Sequence, residues 1–205
     1  GMATFAARAI AGRMNADEVC LEATAQIRKI QSAGIAVSHI DTHKHTHLFP
    51  SVLRPLLRAA AACGVRAVRN PFGPCLPLKS SQLLARPGLW KRYAEVRILS
   101  RFAGKFREAV DREGFLTPNG TLGILVTGTL DENLFHAISR SIPEGTWEFV
   151  CHPGYNDPDL QSAKTRLRDS RETELRGLTL PAAREVLAQE DIQLISYRDL
   201  DPNPA

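Results

Sequence analysis

Four of the six histidines in this 205-residue chain fall within nine residues, and that concentration is the first feature with chemical content. The segment reads His39-Ile40-Asp41-Thr42-His43-Lys44-His45-Thr46-His47, with a ligand-type side chain at every second position. On an extended backbone side chains alternate between faces, so residues 39, 41, 43, 45 and 47 would all leave from one side. Two imidazoles and a carboxylate from one strand end could then reach a single divalent cation, since imidazole and carboxylate together suit zinc and related metals. A lone buried histidine is usually a hydrogen-bonded core residue, but packing alone seldom gathers titratable groups of one kind. The segment is therefore read as a metal or catalytic centre, with some members, His45 and His47 among them, orienting the ligands.

Outside this segment the next candidate is His152, which directly follows a predicted strand, Trp147 to Cys151, and precedes Pro153-Gly154. An imidazole at a strand's carboxyl end can act as general acid or base near neutral pH. Asp41 is the only acid close to the histidines, as base or as orienting carboxylate. Arg69 ends another predicted strand and could hold a substrate oxygen or a carboxylate. Asp199, after the last predicted strand, could orient a histidine by accepting its second N–H. His136, between Phe135 and Ile138 in a predicted helix, reads as structural, and Cys63 and Cys151 read as inert core thiols.

The elements that must position these residues alternate between helix and strand. Phe5, Ala6, Ala9 and Ile10 recur at helical spacing before Gly12. Asn15 is a good N-cap for a helix with Val19, Ala23, Ile27 and Ile30 as its apolar stripe, and Gly34 ends it. A helix from Ser51 buries Val52, Leu56, Ala59 and Ala60 and stops at Gly64. Basic helical sequence runs from about Ser81 to Glu113, and Asp131 caps a helix through Ser139. Two more helices cover about Thr165 to Leu178 and Pro181 to Gln189. Between them lie about five short strands: Ile35–Ile40, Val65–Val68, Leu122–Val126, Trp147–Cys151 and Ile192–Tyr197. Such alternation predicts an α/β fold with parallel strands. A closed (β/α)8 barrel needs eight strands and about 250 residues, so an open sheet or an incomplete, distorted barrel is expected. With no linker or repeat, residues 1–205 read as one domain.

Composition narrows the class. Hydrophobic residues make up 43% and charged residues 23%, a globular profile. The net charge of +4 could attract nucleic acid, but only 6% of residues are aromatic and no stacking platform accompanies the basic stretch. No apolar run approaches the roughly 18 residues of a membrane span. Four cysteines without paired spacing and the lack of a leader predict reduced thiols in a cytoplasm. Gly1 ahead of Met2 reads as a residue left by tag cleavage.

The run His39-Ile40-Asp41-Thr42-His43, with His45 and His47 before Phe49-Pro50, resembles the central motif of the YdjC-like carbohydrate deacetylases. The likeness continues through Arg66-Ala67-Val68-Arg69, Cys151-His152-Pro153-Gly154 and Ser196-Tyr197-Arg198-Asp199. It implies a distorted barrel related to polysaccharide deacetylases, a divalent cation (magnesium or zinc), and hydrolysis of an N-acetyl group from an amino sugar, free or in a glycan or glycolipid. His43 matches the metal ligand of the central motif, with His39 beside it as a second candidate, and His152 matches a histidine near the metal. The family's opening Asp-Asp-Phe-Gly and later Gly-Leu-His motifs, which supply the other metal ligands, are absent from this sequence. The chain is thus expected to lack the family's N-terminal region, to be inactive in that form or to be completed by another chain, and to form a homo-oligomer. The alternatives are a non-catalytic oligomerising fragment with a partial metal site, or a barrel-type metallohydrolase of other specificity.

Overall fold

Asn15 starts the helix that organises the first part of the chain. Its side-chain oxygen accepts the backbone N–H groups of Asp17 and Glu18 at 3.1 and 3.3 Å, meeting two of the donors every helix start leaves unpaired. The computed structural model describes residues 1–74, 93 and 96–200. Its chain folds as two compact units. The first comprises Gly1–Phe72, Arg97–Pro118 and Ser196–Ala205, and the second Gly73–Val96 and Asn119–Ile195. The chain passes repeatedly from one to the other, and the sequence, read as one domain, carries no boundary signal.

In the first unit, α1 (Met2–Ile10) precedes α2 (Ala16–Ser32), α3 (Pro50–Ala62) and α4 (Ala103–Arg112), with short 3-10 turns at His43–Leu48, Ser100–Phe102 and Tyr197–Leu200. Helices α2, α3 and α4 end alike. At the end of α3 the Val65 N–H reaches back to the Ala60 carbonyl and the Gly64 N–H to that of Ala61, at 2.9 and 3.1 Å. Gly64 adopts φ 76°, which lacks a Cβ penalty only for glycine. The same pair of bonds closes α2 and α4. Each cap turns the chain into an extended segment carrying buried apolar residues. Ile40 pairs in parallel with Val68, and Ala67 with Leu116. Leu53, Leu57, Ala60, Val68, Phe106 and Val110 form the centre of the core beneath them.

In the second unit, β1 (Gly120–Leu122) and β2 (Trp147–Phe149) pair in parallel, Gly120 opposite Trp147 and Leu122 opposite Phe149. Helices α5 (Glu132–Ser139), α6 (Pro158–Ser162), α7 (Asp169–Thr179) and α8 (Pro181–Gln189) complete it. Asp131 caps α5 by accepting the Leu134 N–H at 2.9 Å. Leu122, Val126, Leu134, Ile138, Ala183 and Val186 make a separate core.

The α/β class expected from sequence holds, but five regular strands do not form among the described residues. The expected strands Ile35–Ile40 and Val65–Val68 make single parallel bridges, and the segment around Leu116 pairs without having been expected. The third strand lies two residues earlier than expected, and Ile192–Tyr197 joins no ladder among the described residues. Leu194 is 78% exposed and Ile195 46%, so that apolar run is not a buried strand. Helix α6 was missed although Asp157-Pro158 is a start signal, and α7 begins at Asp169 rather than Thr165. Of the basic helical stretch expected over 81–113, residues 81–92, 94 and 95 lie outside the described residues, as does Cys75. No helix among the described residues is long and apolar enough to cross a membrane.

Gly123 follows β1 with φ 89°, and a Cβ built there would lie 2.2 Å from the Val150 carbonyl oxygen. Gly123→Ala is expected to destabilise the fold by at least about 2 kcal/mol, against about 1 kcal/mol for Asn15→Ala. Urea midpoints of the two variants check the ranking, which fails if Gly123→Ala is the milder change.

Candidate active site

The histidine segment leaves extended geometry after Thr42. Thr42 itself is extended (φ −131°, ψ 150°), but Lys44 and His45 adopt left-handed φ values of 54° and 55° inside the following turn. Each such residue costs about 1–2 kcal/mol for an L-amino acid, so the surroundings must impose it. The five polar side chains therefore do not leave from one face as their spacing predicted. The cause is Thr42. Its carbonyl accepts the His45 N–H at 2.9 Å, and its hydroxyl accepts the His47 N–H at 3.0 Å, curling the chain back.

His47 is the buried hub of this turn, with no exposed surface. Its Nδ1 lies 2.7 Å from Thr42 Oγ1 and its Nε2 2.9 Å from the Arg69 carbonyl. A carbonyl only accepts, so Nε2 carries the proton and donates, while unprotonated Nδ1 accepts from the Thr42 hydroxyl. Both nitrogens are thus used in holding the fold. Burial pushes the His47 pKa down to about 4, against the smaller opposing pull of Asp41.

Asp41 forms an ion pair with the Arg69 guanidinium, and its Oδ1 lies 3.6 Å from Nδ1 of both His45 and His47. Partial burial pushes its carboxyl upward, but contact with His45, the Arg69 charge and His47 outweigh this and hold it below the usual carboxylate range. Asp41, Arg69, His45 and His47 are therefore brought together around one anion.

The other candidates go elsewhere. The His39 ring stacks on Tyr197, centroids 3.7 Å apart and planes 7° apart, with Nδ1 2.9 Å from Ser38 Oγ. His43 is exposed and lines a cavity of about 570 Å³ in the first unit, together with Arg8, Asn15, Glu18 and Thr46. Asp199 was expected to orient a histidine. Instead it accepts the N–H and hydroxyl of Ser196, both at 2.7 Å, capping its own turn, and these bonds lower its carboxyl pKa. His152 follows β2 in the second unit, where its backbone N–H donates to the Glu174 carboxylate. Burial, then the Glu174 charge, push the neighbouring Cys151 thiol up, in keeping with an inert thiol. Glu174 was missed from sequence. The only signal was its place on the inward face of α7, where it and Gly177 are the buried residues.

This donor set does not fit a divalent cation. No three His, Cys, Asp or Glu side chains among the described residues converge as a metal site. The expected grouping of His39, Asp41 and His43 does not assemble among the described residues: His39 is stacked on Tyr197, Asp41 is paired with Arg69, and His43 lines the cavity beside α1 and α2.

A family profile described as YdjC-like protein matches residues 2–189. The chain is 29% identical to a carbohydrate deacetylase of Homo sapiens, aligning over 98% of its own length and 65% of that protein's. It is 28% identical to a chitooligosaccharide deacetylase of Yersinia enterocolitica, over 94% of this chain and 65% of that one. A carbohydrate deacetylase of Vibrio parahaemolyticus is also 28% identical, over 87% and 57%. The chain thus spans less than two-thirds of these relatives' length. Among solved structures, a crystal structure from Enterococcus faecalis V583 ascribed to cellobiose-phosphate cleavage superposes with TM-score 0.66. It shares 21% identity and covers 91% of this chain and 62% of that one. That likeness bears on the fold alone.

The unfolded chain takes up a proton at His47 as pH falls through 6.5, whereas the folded chain resists until about 4. The His47 contribution to stability is therefore complete above pH 6.5 and shrinks between 6.5 and 4, by about 3 kcal/mol in all. An NMR titration of the imidazole ring should show His47 flat from pH 8 to 5, with urea midpoints dropping below pH 6. A ring titrating near 6.5 would contradict the arrangement.

Proposed function

The chain belongs to the YdjC-like protein family, and on that premise we propose that it hydrolyses N-acetyl groups of an amino-sugar substrate, free or within a glycan or glycolipid. The observation that carries this reading is the alignment of 87–98% of the chain with curated carbohydrate deacetylases. In amide hydrolysis a water oxygen adds to the acetyl carbonyl, the C–N bond breaks, and the proton that the water gives up is matched by one that the departing amine takes up. We assign that proton to His152, at the end of β2. Asp41 serves as a fixed anion, since contact with His45 and the Arg69 charge hold its carboxyl below the usual carboxylate range, and Arg69 is assigned to hold a substrate oxygen. His43 contributes an exposed imidazole to the cavity beside α1 and α2.

The family resemblance implies a divalent cation, magnesium or zinc, with His43 and His39 as its candidate ligands. Because the described donors do not assemble a site, the steps above are assigned to protein groups alone. The finer architecture, an incomplete barrel, is supported by the parallel sense of every pairing described. A homo-oligomer is supported by the exposed apolar side chains Ile10, Leu21 and Leu194. A cytoplasmic setting is supported by the unpaired Cys20, Cys63 and Cys151.

Acetate release from N-acetylglucosamine oligomers, with and without added zinc or magnesium, tests the reading. His152→Ala should lower kcat by about a hundredfold or more, and His43→Ala should abolish any stimulation by metal. Full release by His152→Ala would overturn its role. No release under any metal condition would favour a non-catalytic, oligomerising chain, and release from other linkages alone would favour a hydrolase of different specificity.

A further inference from the structure

Glu174 sits in the middle of α7, 1% exposed. One carboxylate oxygen accepts the backbone N–H of His152, and the other is buried with no hydrogen-bond partner among the described residues. The loop after β2 continues the pattern at every second residue. The Gly154 N–H donates to the Arg171 carbonyl at 3.2 Å, and the Asn156 N–H to Glu172 Oε1 at 3.0 Å. Successive inward N–H groups of an extended loop thus all end on one helix, two of them on glutamate side chains. A buried carboxylate is costly unless its bonds compensate, and a neighbouring inward position on the same helix, Gly177, carries no polar group at all. An apolar side chain at 174 would fill the same space but leave the His152 N–H without its acceptor.

We infer that Glu174 is a positioning residue, fixing where the His152 imidazole stands by accepting its backbone N–H. The inference rests on the reading in which His152 is the proton donor of a deacetylase. At His152 the acceptor is a side chain, whereas two residues on, the Gly154 N–H reaches the Arg171 carbonyl of α7 itself, so the glutamate supplies a contact that the helix backbone supplies at the next step.

Amide hydrogen exchange at His152 tests the geometry independently of activity. Glu174→Ala should speed exchange of the His152 N–H about tenfold or more, and Glu174→Gln, which keeps an oxygen acceptor, should retain the protection. In acetate release, Glu174→Ala should lower kcat about tenfold with KM unchanged, Glu174→Gln should recover most of it, and Glu174→Ala should add nothing in a His152→Ala background. If the alanine variant does not fold, Glu174→Asp, one methylene shorter, should move both readouts the same way. Unchanged exchange at His152, or independent losses in the double variant, would overturn the inference. Faster exchange together with full release by His152→Ala would uphold the positioning and remove His152 as the proton donor instead.

Discussion

A neutral imidazole with both nitrogens engaged is the constraint on which the first unit's candidate site depends. His47 joins three things that the chain brings from different places: the Thr42 hydroxyl, the Arg69 carbonyl and the core around Phe106. Its ring bond to the Thr42 hydroxyl adds to the backbone bonds by which Thr42 curls the turn that holds Lys44 and His45 in left-handed geometry. The register that pairs Asp41 with Arg69 comes from the adjoining backbone bridge, in which the Arg69 N–H donates to the Ile40 carbonyl at 3.0 Å. Depressing the pKa of this group is part of the device. A charged ring would need a donor role at both nitrogens, and Thr42 Oγ1, already accepting the His47 N–H, would have to accept a second time.

Much of the scaffold was legible because it is written in local chemistry. Asn15 and Asp131 cap helices at the positions their side chains predict, and Gly34 and Gly64 end α2 and α3 in the left-handed geometry that glycine adopts at little cost. The strands were legible as places where apolar residues are buried, not as ladders. Ile40, Ala67 and Val68 are buried and paired as such patterns require, yet each contributes only a single bridge. Pairing depends on a neighbour supplied by distant sequence, and an apolar run such as Ile192–Ile195 can equally lie exposed.

The candidate site was legible as a cluster of titratable residues but not as an arrangement. A period of two in ligand-type residues is informative only while the backbone stays extended, and Thr42 ends that condition by bonding within its own turn. Threonine beside histidines gives no warning of this in sequence, because the same residue also suits a strand. Asp199 shows the same competition. A carboxylate near a chain turn satisfied local donors at Ser196 before it could serve a distant imidazole.

His47 and Glu174 do comparable work in the two units, each a buried titratable side chain that binds a backbone group of a segment carrying a candidate catalytic residue. In both cases the residue most buried is the one least able to take part in chemistry, since its polar atoms are committed or sealed from solvent. Titratable residues gathered in a sequence therefore divide into those that shape a site and those that act in it, and donor accounting separates them. By that accounting His47 shapes, Asp41 anchors, and His43 is left facing an opening.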